Sequence, residues 1–217
     1  MATLSTATKL LKGALITIDP LNPLPRVIAF QYNPATLTRS LEAQFQENEG
    51  KTGDPPRLKG APTETIKLEI ELDAADHAVS GDVIGEETGV LKSLAALELL
   101  IYPKSDLVAL NNGLMAAGTI EIIPPSAPLT LFVWGGHRIL PVRVTEFSVT
   151  EDEFRPDLNP LRAKISLGLR VLSYSDVSFT HPAWSIFMKH QRDKERLGAE
   201  GASGGLNGVL PAGMGLL

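Results

Sequence analysis

Four histidines, His77, His137, His181 and His190, are the only imidazoles in the chain, and no two stand at an i,i+4 or His-x-His spacing. A zinc site needs three or four converging ligands. One drawn from a histidine with Asp73, Asp76 or Asp82 would have to be gathered entirely by the fold, so solvated loop acids are the better reading. The segment DAADHAVSGD (73–82) spaces its aspartates without the D-x-[DN]-x-[DN]-G order or the closing glutamate of a calcium loop. EDEF (151–154) reads as a turn carrying three carboxylates, where mutual repulsion could raise one pKa into the acid–base range. Nothing apolar on both sides forces burial there, so water is the expected surrounding. Hydrolysis through Glu151, Asp152 and Glu153 therefore ranks last among the functions considered.

Nucleophilic catalysis has no support, since no Gly-x-Ser-x-Gly elbow occurs and no serine shares a motif with His and Asp. The glycines of GAEGASGG (198–205) follow a polar helix rather than a strand, and no Lys-Ser/Thr follows them, so they read as a linker and not a phosphate loop. Trp134 and Trp184 could stack on a sugar, but core packing for the first and helix docking for the second explain them at least as well. The expectation is a non-enzymatic chain with no cofactor and no metal.

The composition narrows the classes further. A chain of 217 residues, 43% hydrophobic, can bury one substantial core. Its formal net charge of −5 provides no global positive field for a phosphate backbone, and Lys and Arg form no run, so nucleic acid is not an expected partner. Cysteine is absent, which excludes disulfides and thiolate metal sites. MATLSTATKLLKG lacks the apolar core of a secretory signal, and no apolar stretch approaches the ~20 residues needed to cross a bilayer. The expected location is the cytoplasm, with no membrane partner. The 19 glycines and 16 prolines imply many turns between short elements, which favours a β-rich fold.

The elements that would position these residues follow from periodicity. LSTATKLLKG suggests a short N-terminal helix stopped by Gly13. ALITID (14–19) is a strand that PLNPLP should end, because prolines cannot donate to a ladder, and RVIAFQY (26–32) returns as its hairpin partner. Asn33-Pro34 then breaks the chain. LTRSLEAQFQ (37–46) restarts with Leu37, Arg39, Leu41, Ala43 and Phe45 on one face. The segment 47–64 is a long charged loop, after which TIKLEIEL (65–72) alternates Ile66, Leu68 and Ile70 against Lys67, Glu69 and Glu71. The two strands and their loop make an extended hairpin arm. GVLKSLAALELLIY (89–102) has helical period and ends at Pro103, whereas 105–128 is ambiguous, a helical turn followed by a short strand or a connector. LTLFVWG, RILPVRVTEFSVT and RAKISLGLRVLS (162–173) read as a β meander. The division expected is a β domain over 1–180, a docking helix over 181–198 and a Gly-rich tail over 199–217.

Four collinear pieces carry a family resemblance: IAFQYNPATLTRS, LEIELDAADHAVSGDV followed by a helix, APLTLFVWG, and PVRVTEFSVTEDEFRPDLNPLRAKISLGLRVLS. Over roughly residues 14–175 the chain resembles the tube proteins of contractile injection systems, the phage-tail-like particles, and within them the adaptor or initiator that joins inner tube to spike. The matching positions are Phe30, Tyr32, Asn33 and Pro34; Leu72 and Asp73; Trp134 and Gly135; and Asn159, Pro160 and Ala163. Such adaptors often continue into a LysM-type module, whereas a helix and a Gly-rich tail follow here, which suggests a shorter adaptor or a module supplied by another chain. The resemblance implies a mainly β (α+β) fold, a tail-tube-like barrel or sandwich with a flanking helix. It also implies a six-fold homo-oligomeric ring whose strands line a lumen, with inner tube protein and spike, hub and baseplate proteins as partners. Leu37, Arg39, Leu41, Ile66, Leu68 and Ile70 of the arm, with Trp184 and Phe187 of the helix, are then the expected assembly residues, the arm finding its apolar cover on sister copies. A cell-wall polysaccharide-binding β module using the two tryptophans is the alternative.

Overall fold

The structure, a computed structural model, describes residues 11–19, 22–46, 57–75, 88–116, 118 and 128–202. The expected N-terminal helix up to residue 10, the middle of the charged loop, most of DAADHAVSGD and the Gly-rich tail lie outside these residues. Ten elements occur in chain order: β1 Ala14–Asp19, β2 Asn22–Ala29, β3 Leu37–Glu42, β4 Thr63–Asp73, α1 Leu91–Glu98, α2 Ser105–Ala116, β5 Leu129–Val133, β6 Ile139–Phe154, β7 Pro160–Val171 and α3 Pro182–Gly201.

The seven strands form a single sheet in the order β2-β1-β5-β6-β7-β4-β3, every pair antiparallel. The sheet is open, with β2 and β3 at its edges, so its architecture is that of a sandwich and not a closed barrel. What folds it over is β6, whose first residues pair with β5 and whose remainder pairs with β7, with a register shift between Val144 and Glu146. An irregularity of this kind bends a strand and increases its twist. As a result Leu15 and Phe132 from one half meet Ile66, Ile70, Ile165 and Leu167 from the other in one core. The alternation read from the sequence is kept in β4 and β7: Ile66, Leu68, Ile70 and Leu72 face inward with Ala163, Ile165, Leu167 and Leu169.

Three local expectations are corrected. PLNPLP ends β1 at Asp19 as expected, but the returning strand does not wait for Arg26, because β2 begins at Asn22 and contains Pro23 and Pro25. This is tolerated because β2 is an edge strand, where a missing donor need not break a ladder. EDEF is not a turn but the last four residues of β6, the turn falling at 155–159, where Leu158 adopts a positive φ of 64°. The C-terminal helix runs to Gly201, three residues past the expected stop at Gly198.

The Asn-Pro break has a specific structural job. The Asn33 side chain accepts from the Gly13 N–H (2.8 Å) and donates to the Leu11 carbonyl (2.9 Å). Next to it, Gln31 donates to the Asp73 carbonyl (2.6 Å) and accepts from the Asp73 N–H (2.9 Å). Each amide stands in for a peptide group. Together they tie the segment leaving β2 to the chain before β1 and to the far end of β4.

The helices close the sandwich. Val90, Leu94 and Leu97 enter the core, and the Val90 N–H donates to the Pro160 carbonyl (3.2 Å). Gly89 precedes them at φ +57°, where a Cβ would lie 2.3 Å from that carbonyl oxygen, so no other residue fits. α3 starts with His181 as N-cap, accepting from the Ala183 N–H (3.2 Å), and Pro182 at the first position. Ala183, Phe187 and His190 are its buried face.

Candidate assembly interface

The expected arm divides between its two strands. Ile66, Leu68 and Ile70 are buried in the core of their own chain, so the expectation that sister copies cover them is corrected. β4 is an interior strand between β7 and β3, and the other half of the sandwich supplies the cover. β3 is different. Leu37 packs against the core, Arg39 is half-buried, and Leu41 is 52% exposed. Beyond β3 the ladder resumes, with Phe45 opposite Leu58, Gln46 N–H donating to the Arg57 carbonyl and Lys59 N–H to that of Gln44, both at 2.8 Å. Phe45 and Leu58 are 56% and 68% exposed, so the described part of the arm presents an exposed apolar pair. On α3, Phe187 docks inward, edge-on to Tyr174 at 5.9 Å, and so is not an intersubunit surface. Trp184 is half-buried against the exposed Phe179 at 4.7 Å. Trp134 stacks on Phe132 at 6.0 Å and crowds Gly13, which makes it a packing residue.

Arg39 has a partner the sequence did not suggest. Its Nε and Nη2 both reach the Glu64 Oε1, at 2.7 and 2.6 Å. Glu64 is buried because it continues the inward phase of Ile66, Leu68 and Ile70, standing opposite Leu41 and diagonal to Arg39. Lys194 of α3 approaches the other oxygen of Glu64 at 3.8 Å. Arg138, in the β5–β6 turn, is partly buried, and burial and then the charge of Arg39 push its pKa below the ordinary arginine value, while Glu64 opposes them. His190 completes the group. Burial, then Lys194, hold its imidazole below the usual histidine value, against the opposing pull of the His137 backbone and Glu64. Neither of its ring nitrogens has a hydrogen-bond partner among the described residues. Glu64 was legible only if the strand was begun one residue earlier, at an inward-phase position holding an acid.

The outer face of β4, β7 and β6 is polar and changes sign along the strands. At one end Arg143 and Arg170 are paired across the ladder, with Arg170 bound to Asp176 at 2.9 Å. Burial pushes the Asp176 carboxyl up, but the Ser173 N–H and hydroxyl, with Arg170 and Arg143, outweigh it and hold its pKa low. One step on, Lys67 reaches Glu146 at 2.8 Å across the intervening strand. Gly168 lies between them, and a Cβ there would meet the Glu146 Cβ at 2.8 Å. At the other end Arg162 binds Asp73 and Glu153, both at 2.9 Å. The Asp73 hydrogen bond, then the charge of Glu153, raises its pKa. Glu151 and Asp152 lie exposed beside them with no ion pair among the described residues.

Exposed apolar groups occur at the sheet edges as well as elsewhere, for example at Leu158 and Phe179. Leu24 and Val27 lie on the β2 edge, and Leu41, Phe45 and Leu58 beyond the β3 edge. α2 has no buried residue, exposing Val108, Leu110, Leu114 and Met115. The Lys104–Asp19 ion pair ties its start to β1. Among the described residues, no group of three or more His, Asp or Glu is placed to hold a metal ion, and no helix is long and apolar enough to cross a membrane.

Comparison with known proteins adds three findings. The family model described as "Contractile injection system tube protein" matches residues 19–176. No curated protein matches the sequence. Among solved structures, the chain is similar to one from the tail of an empty GTA particle computed with C6 symmetry. Identity there is 12% and the TM-score 0.29, with 73% of this chain and 90% of that chain covered. It is also similar to one from the virion of a native gene transfer agent (GTA) particle, at 11% identity and a TM-score of 0.27 over the same shares.

Proposed function

Because the chain belongs to the contractile injection system tube protein family, we propose that it works as a closed six-fold ring, the adaptor or initiator between the inner tube and the spike or baseplate hub. The observation that carries the ring is that both edges of an open sheet carry exposed apolar side chains: Leu24 and Val27 on β2, and Leu41 on β3 with Phe45 and Leu58 beyond it. Exposed edges invite pairing with other chains, and a repeated contact between two different patches either closes into a ring or runs on as a filament. Setting the β3 edge of one copy beside the β2 edge of the next covers both and leaves none open once the ring closes. The exposed face of α2 then has a neighbour to meet as well.

The adaptor or initiator role is supported by the collinear segments from Phe30 to Ala163. Its mechanism is templating. A ring of fixed symmetry offers one face on which tube subunits start to stack and another that holds the spike, so the residues act by shape and burial, not by bond-making. Assembly takes place in the cytoplasm, with release of the particle by lysis. No observation favours the polysaccharide-binding alternative, since Trp134 is engaged with Phe132.

Native mass spectrometry of the purified chain, alone and with tube and spike proteins, tests the ring, with a hexamer as the expected species. A monomer under every condition would overturn it. Electron microscopy of labelled protein in the particle tests position: label at one end of the tube is expected, and label along its whole length would make the chain a repeating tube subunit instead.

A further inference from the structure

The geometry points to a carboxylate-binding site formed by Arg39, Arg138 and Lys194, whose occupant is the acidic β6–β7 tip, Glu151 and Asp152, of a second copy of this chain. The inference rests on the self-assembly reading and deepens it by naming one contact.

Three cations share this pocket with a single carboxylate, Glu64. Arg39 uses two nitrogens on one oxygen of Glu64, and Lys194 stays 3.8 Å from the other, so the acid does not saturate its neighbours. The Arg138 guanidinium makes no hydrogen bond or ion pair among the described residues, although its carbonyl accepts from the Trp134 N–H. His190, 8% exposed, lies beside them, its ring facing the His137 backbone but with neither nitrogen in well-formed hydrogen-bond geometry among the described residues. Buried polar groups of this kind are normally hydrogen-bonded, and a surplus of partly desolvated positive charge is relieved by an incoming anion.

The same molecule carries the complement. Glu151 and Asp152 are exposed carboxylates without ion pairs among the described residues, at the opposite end of β6 from Arg138. The strand between them measures up to about 45 Å, and the tip's own ion pairs run to Arg162 and Asp73. A polyanion such as nucleic acid is a poorer occupant, because the chain as a whole carries a net charge of −5. A tip meeting a pocket is a contact between unlike patches, which suits a ring or a stack of rings.

The test is charge reversal on each side and on both, read by sedimentation velocity at low and moderate salt with thermal unfolding as the folding control. Glu151→Lys with Asp152→Lys, and separately Arg138→Glu with Lys194→Glu, are each expected to weaken self-association at least about tenfold. All four substitutions in one chain are expected to restore it to within about threefold of the original. Arg138→Gln guards against misfolding of the reversed pocket and is expected to weaken association by about threefold. Unchanged association in either reversed variant, or no recovery in the four-fold variant, would overturn the contact. Rings that form normally in all variants sink this contact and leave the ring standing, whereas a wild-type chain that stays monomeric alone and with tube and spike sinks both.

Discussion

Strands β3 and β4 are neighbours in one hairpin, with the same alternation and one register, Leu37 opposite Leu68 and Leu41 opposite Glu64. Yet the inward face of β4 is sealed, whereas that of β3 opens to water over the six residues from Leu37 to Glu42. Alternation therefore specifies which side of a strand is apolar, and the strand's rank in the sheet decides who covers it. β4 has a strand on each side and the other half of the sandwich over it. β3 has a strand on one side only and runs past the limit of the core, where Arg39 turns to Glu64 and Leu41 is half exposed.

The largest test of this contrast lies in the sealed region. Phe187→Ala and Ile66→Ala should each cost about 2–5 kcal/mol of folding stability, measured by urea denaturation, because each opens a cavity in a packed core. A loss below about 1 kcal/mol would mean that these side chains are not enclosed by their own chain. Gly89→Ala should cost about 2 kcal/mol or more, since the positive φ and the Pro160 carbonyl both exclude a methyl group; the same denaturation experiment reads it.

At the boundary between the regions, Arg39→Ala should cost about 2 kcal/mol, less than a fully buried pair because Arg39 is partly solvated and Lys194 stays near Glu64. A cycle with Glu64→Gln should recover part of the loss.

His190 gives a smaller, pH-dependent effect. It is surrounded by Lys194 on its own helix, Arg39 and Glu64 on the hairpin and the His137 backbone in the turn. Its folded pKa is depressed, so as pH falls below about 6.5 the unfolded chain takes up a proton first, and stability drops until the folded pKa is passed. His190→Leu should remove that decline from the melting-temperature profile and raise stability at neutral pH by about 1 kcal/mol. The decline is absent if His190 titrates normally.

The smallest stability effect belongs to the open region. Leu41→Ser should change monomer stability by less than about 0.5 kcal/mol while weakening assembly, so that the two readouts separate for β3 and coincide for β4.

Much of this architecture was written in short-range pattern. The period-two alternation of TIKLEIEL and RAKISLGLRV placed β4 and β7, and the helical period after Gly89 placed α1. What local pattern lacks is neighbourhood. PLNPLP ended β1 as read, but its residues from Asn22 on looked like loop because proline cannot donate, and became strand because β2 happens to be an edge. EDEF looked like a turn because three acids stand together, and became strand because β7 pairs with it to the end. The same limit explains the assembly residues. Leu41 is exposed on an edge strand, whereas Ile66, Leu68, Ile70 and Phe187 are as apolar as an interface requires but already have cover. The cluster at Glu64, Arg138, His190 and Lys194 draws on three separate stretches of chain, and only the acid at an inward-phase position hinted at it.

The Gln31 clasp has a mechanical consequence. Its two bonds to Asp73 join the same pair of groups. A tug along the chain between the exit of β2 and the end of β4 must strain both at once, as in shearing, and cannot part them in succession, as in unzipping. Force reaching the β2 edge thus passes to the end of β4 through a side-chain amide, without a continuous ladder, and Gln31→Ala would cut that route while leaving every strand in place.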